Sequence, residues 1–154
     1  VRLEPVADRV TRDRLLSGEL AGREAAPGWP HVDTAPGMGF LDSGGLVFLV
    51  IDHDGRIAGE CGTKAPADAD GRVEIGYGLA PSSRGHGLGT AAVTALVGLL
   101  STRPEVAVVE AEVHVGNEPS WRILERLGFV IRGDVRSGHQ RYELPSPGRP
   151  LVDS

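Results

Sequence analysis

The chain has 154 residues, 40% of them hydrophobic and 24% charged: enough for one packed core, too short for two full domains, and unlike a disordered polymer. A formal charge of −5, with Lys64 the only lysine and the arginines scattered, argues against the clustered basic face that nucleic-acid binding requires. Cys61 stands alone, which excludes an intrachain disulfide and a multi-cysteine metal site and suits the cytoplasm. Val1 to Val10 mixes charged and apolar residues and reads as neither a leader nor a membrane anchor.

The alternation from Leu3 to Val6 predicts a short strand. Asp8 through Leu20, with Leu15, Leu16 and Leu20 on one face, predicts a helix. Residues 22–45 are rich in Gly, Pro, Asp and Ala around Trp29, Met38 and Phe40 and yield no assignment; a stretch of that length in a compact domain suits an acceptor-binding wall. The apolar run Leu46 to Ile51, the turn Asp52-His53-Asp54-Gly55 and the extended Arg56 to Thr63 make a hairpin. A second turn, Asp68 to Gly71, leads into Arg72 to Leu79 as a third antiparallel strand.

Pro81 stops that strand, and a glycine-rich turn introduces a helix over Leu88 to Leu100. Val106 to Val115 is β-branched and reads as a strand, Asn117 to Leu127 as a helix closed by Gly128, and Phe129 to Val135 and Gln140 to Leu144 as two final strands. Residues 1–145 are thus expected to form a single α/β domain, with 146–154 as a loose tail.

The segment Arg84-Gly85-His86-Gly87-Leu88-Gly89-Thr90 carries the chemistry. Glycines at alternate positions let the backbone approach a ligand and turn amide N–H groups outward, and the first turn of the following helix adds unpaired N–H groups and the positive end of its dipole. Such a junction suits a pyrophosphate. The plain alternative is a tight strand-to-helix connection. The spacing meets neither the dinucleotide fingerprint G-x-G-x-x-G nor a P-loop, which needs Lys followed by Ser or Thr. His31, His53, His86, His114 and His139 are dispersed without metal-ligand spacing, so no metal site is expected. Cys61 reads as a small core residue and Trp121 as core.

Arg84, Gly87 and Gly89 match R/Q-x-x-G-x-G/A, and the segment resembles the signature of the GNAT superfamily of N-acetyltransferases. The similarity continues through Glu112 to Asn117 and Glu125 to Phe129, and Asn117-x-x-Ser120 resembles the branch of ribosomal-protein N-terminal acetyltransferases. The resemblance implies a mixed, mostly antiparallel sheet of six or seven strands flanked by about four helices in three α-β-α layers, its middle strands parted. It implies acetyl-CoA as co-substrate, with the backbone of Tyr77, Gly78 and Leu79 along the pantetheine arm, residues 84–90 on the pyrophosphate, and Asn117 and Ser120 on coenzyme A. The activity implied is direct attack of a small-molecule or peptide amine on the thioester in a ternary complex. The alternative is an acyl-CoA sensor of the same fold without turnover. Family position nominates Glu112 or Glu74 as general base and leaves the choice between them open. Many members place a Tyr acid where this chain has Leu124, so Ser120 is expected to protonate the departing sulfur. By resemblance alone a homodimer is admitted.

Overall fold

The computed structural model describes residues 1–145; the expected tail, 146–154, lies outside them. Its elements are β1 (Arg2–Pro5), α1 (Arg9–Leu16), α2 (Thr34–Met38) continued by a 3-10 turn (Gly39–Ser43), β2 (Val47–Ile51), β3 (Ile57–Thr63) and β4 (Arg72–Leu79), then α3 (Leu88–Ser101), β5 (Val108–His114), α4 (Glu118–Arg126), β6 (Val130–Arg136) and β7 (His139–Pro145).

Two Asp-x-Asp-Gly turns set the register of the first half. The Asp52 carboxylate accepts from the amides of Asp54 and Arg56, and that of Asp68 accepts in the same way from Asp70 and Arg72, so each aspartate closes its own turn. The seven strands then pair in the order β1-β2-β3-β4-β5-β7-β6, antiparallel throughout except for β4 against β5. The mixed sheet expected from the sequence is therefore the one that forms.

That parallel pair determines the architecture of the site. Pairing runs only from Arg72↔Val108 to Ile75↔Ala111, whereas β4 continues to Leu79 and β5 to His114. Beyond Ile75 the strands diverge, and among the described residues the backbone of Gly76 to Leu79 has no strand on that side. Below the split, Arg72 bridges Glu110 and Glu143, while Arg141 bridges Glu110 and Glu112, tying β4, β5 and β7 together.

One face of the sheet carries α3 and α4. Leu88, Ala92, Leu96 and Leu100 recur along α3 at the spacing that buries one helix face, and Leu124 fills the same layer from α4. The other face is covered by α2 and its 3-10 extension: Gly37 sits against Glu60 on β3, and Phe40 over Gly76 on β4. Strands β2 and β3 are buried along their whole lengths, as strands covered on both faces must be. At the far edge β6 is exposed throughout, with Val130, Ile131 and Val135 bare.

Two expectations from the sequence change. The helix expected over Asp8 to Leu20 stops at Leu16: Gly18 takes φ +95° and the Glu19 amide turns back to the Arg14 carbonyl, so Leu20 reaches the core from a turn. The unassigned stretch 22–45 is an ordered wall. Ala25 bridges Ile57, the Trp29 side chain is buried, and α2 with its 3-10 turn follows.

Candidate active site

The split in the sheet opens a cleft of about 720 Å³. Tyr77, Gly78 and Leu79 line it from β4, Arg84 and Gly89 from the turn, His114 from the end of β5, Asn117, Ser120 and Ile123 from α4, and His31 and Asp33 from the wall. It runs from the helical layer holding α3 and α4 through the sheet to the opposite layer.

At one end stands the glycine-rich turn. Gly85 and Gly87 both have φ +79°, and an added Cβ would meet nothing within 4 Å at either, so backbone conformation alone demands glycine there. Gly89 differs: its φ is ordinary, but a Cβ would come 2.9 Å from the Ile123 side chain, so this glycine lets α3 approach α4. No side chain caps α3, whose first backbone bond runs from the Ala91 amide to the Gly87 carbonyl. The amides from Gly85 to Thr90 therefore find no acceptor among the described residues, and this row of unpaired donors sits at the positive end of a helix of 14 residues. The Arg84 guanidinium folds back onto the Leu79 carbonyl at 3.2 Å, beside the cleft.

Asn117 caps α4, its side-chain oxygen accepting from the Ser120 amide at 3.3 Å. The Ser120 hydroxyl donates to the Tyr77 phenol oxygen at 2.8 Å, and that phenol donates to the Ser120 carbonyl. Burial pushes the Tyr77 hydroxyl up to about 12, so it stays protonated at neutral pH. Leu124, where the resemblance puts a tyrosine, is fully buried in the core.

The two nominated bases do not meet in this cleft. Glu74 pairs with Lys64 and lies 3.6 Å from Arg141; Glu112 is held by Arg141 at 2.8 Å in a separate depression beside the β6–β7 turn. Two groups that no sequence motif marks stand nearby instead, His31 lining the cleft and Glu60 lining a neighbouring cavity. Glu60, opposite Gly78 in the β3–β4 register, is buried, and its Oε2 lies 2.8 Å from His31 Nε2, while Oε1 accepts from Trp29 Nε1 at 3.1 Å. Burial raises the Glu60 carboxyl, opposed by the neighbouring Thr34, His31 and Trp29. The signal that sequence reasoning misses is a single carboxylate in an otherwise uncharged strand, Ile57 to Thr63.

Cys61, next along β3, is buried as expected of a core residue, and its thiol is pushed up to about 12 by burial and then by the Glu60 charge. A disulfide reagent at pH 8 should leave it unmodified in the native protein and react with one thiol after denaturation, read by the absorbance of the released chromophore. Among the described residues no group of three or more His, Cys, Asp or Glu could hold a metal ion, and no helix is long and apolar enough to cross a membrane.

Residues 23–130 match a family model described as an acetyltransferase (GNAT) domain. The chain is 31% identical over 88 residues to the uncharacterized N-acetyltransferase p20 of Bacillus licheniformis, covering 57% of this chain and 49% of that protein. It thus spans about half the length of the curated relatives it matches. Among solved structures it resembles the RimL ribosomal L7/L12 alpha-N-protein acetyltransferase in complex with coenzyme A, at TM-score 0.62 and 18% identity, over 73% of this chain and 68% of that one. It also resembles a chimera of spermidine N-acetyltransferase SpeG from Vibrio cholerae and hSSAT, at TM-score 0.65 and 18% identity, over 95% and 97%.

Proposed function

The chain belongs to the GNAT acetyltransferase family, and on that premise we propose that it transfers an acetyl group from acetyl-CoA to a primary amine by direct attack in a ternary complex. The observation that supports this reading is the row of amides from Gly85 to Thr90, free of acceptors among the described residues, with Arg84 and Gly89 lining the cleft and His86, Gly87 and Leu88 lining an adjoining cavity. They bind the pyrophosphate, with Arg84 beside them. The pantetheine arm then runs along the unpaired edge of β4, where Tyr77, Gly78 and Leu79 offer backbone groups as a missing strand would, and Asn117 flanks it from α4.

A thioester is already activated, so the protein's task is to hold it, deliver an unprotonated amine and accept the leaving group. Ser120 is the proton donor to the departing sulfur in this reading, its hydroxyl turning to the sulfur from the Tyr77 oxygen, to which it donates at 2.8 Å. The acceptor enters from the opposite layer, where Asp33, Phe40, Glu60 and Lys64 line a second cavity of about 280 Å³ that suits a small amine or the end of a peptide.

Calorimetry with coenzyme A and thiol release from acetyl-CoA across a panel of primary amines test the proposal together. Saturable binding with amine-dependent release is expected. Binding without release for any amine would make the chain a sensor, and absence of binding would remove both readings.

A further inference from the structure

The buried cluster around Glu60 has more structure than packing requires. Two side chains donate to one carboxylate, Trp29 Nε1 to Oε1 at 3.1 Å and His31 Nε2 to Oε2 at 2.8 Å, and the Thr34 hydroxyl, which accepts from the His31 amide at 3.0 Å, favours its charged form. The Asp33 amide donates to His31 Nδ1 at 3.2 Å, so the ring proton sits on Nε2 and is donated to Glu60. A carboxylate has about four acceptor positions, and two hydrogen bonds reach this one, leaving room to accept a proton. Glu60 lines the acceptor cavity, and His31 lines the main cleft. The cluster presses against the split strand: a Cβ on Gly78 would come 2.9 Å from Glu60 Oε2 and 2.8 Å from the His31 ring. Glycine at 78 therefore brings the carboxylate to the strand edge where the thioester is proposed to lie.

We propose that Glu60 is the general base of the reaction, with Trp29, His31 and Thr34 as positioning residues that keep it ionised and aim its free lone pair at the acceptor amine. The inference rests on the acyl transfer proposed above. The amine arrives as an ammonium and gives one proton to Glu60. Its freed lone pair forms the C–N bond at the thioester carbonyl, and the C–S bond breaks with its electron pair on sulfur. Nitrogen's second proton neutralises the thiolate by way of the Ser120 hydroxyl, and Glu60 returns its proton to solvent. Burial supports the role, because a carboxyl raised above its ordinary range is a stronger base. The other titratable groups around it are His31 and Asp33 from the wall, Cys61 beside it on β3, Tyr77 on β4 and Lys64 at the far side of the cavity. Activity therefore falls as pH drops through the raised value, and the ascending limb lies above the usual glutamate range.

The test uses the whole chain with acetyl-CoA and two acceptors, an alkylamine and a weakly basic amine that is already neutral at the assay pH. Glu60→Gln should keep the wild-type affinity for coenzyme A, lose about 10²–10⁴-fold in kcat with the alkylamine, lose far less with the weakly basic amine, and lack the acid limb. Thr34→Val, which removes a group favouring the charge, should move the limb to higher pH; this decides the matter even if Glu60→Gln does not fold. A Glu60→Gln enzyme within threefold of wild type on both amines, or an acid limb unmoved in Thr34→Val, would overturn the assignment while leaving the transferase reading intact. A wild-type protein that binds coenzyme A but releases no thiol would remove both.

Discussion

Gly87→Val should raise the dissociation constant for coenzyme A roughly 10- to 100-fold, measured by calorimetry, without unfolding the protein. The cause is conformational. Residue 87 sits at φ +79°, and a Cβ placed there would have nothing within 4 Å, so valine meets no neighbour and the core is untouched. What it loses is the left-handed backbone that turns the following amides outward, a conformation costing a β-branched residue about 1–3 kcal/mol. The loop relaxes and the donors no longer converge, and about 1.4 kcal/mol corresponds to each factor of ten in affinity. A Tm of the free protein within about 3 °C of wild type would show that the loss belongs to the turn. Unchanged affinity would refute the pyrophosphate role of these amides.

Leu96→Ala should destabilise the fold by about 2–5 kcal/mol, the usual cost of emptying a fully buried leucine site. Leu96 has 0% exposure on the face of α3 turned to the sheet, between Ala92 and Leu100. In a chain of this size each kcal/mol lowers Tm by roughly 2–4 °C, so a drop of about 4–20 °C is expected by calorimetry or circular dichroism. The protein should still bind coenzyme A at low temperature, because the turn at 84–90 lies at the opposite end of the helix from the C-terminal cap at Thr102. A shift under 2 °C would mean that the layer between α3 and the sheet does not hold the fold together.

The two experiments separate what the sequence makes legible. The strand at Arg72–Leu79 and the start of α3 at Leu88 can be read to the residue, because alternation, Pro81 and alternate glycines mark them with local chemistry. The parallel β4–β5 pair is reachable only through family resemblance, since β-α-β order gives the neighbours but not where they separate. The wall from 22 to 45 resists because its structure is fixed by partners far along the chain: Ala25 is held by Ile57, and Phe40 by Gly76. Glu60 escapes for the same reason. Its significance comes from Trp29 and His31, about thirty residues away, and no local periodicity brings them together. Glu74 and Glu112 stand out through motif position, which fixes a place on a strand but not whether an arginine has already engaged the side chain.

The rim strand β6 imposes a rule on self-association. Bare valine and isoleucine along an unpaired border invite strand-by-strand growth into fibrils. Here the pairing with β7 slips between Arg132 and Arg136, Gly133 turns the chain to φ +72°, and Arg132, Asp134 and Arg136 interleave charge with the apolar positions. A kinked, charged border makes a poor template for a neighbour's backbone. At this border, copies of the protein meet through side chains rather than by strand pairing, so it guards against growth of the sheet from that side.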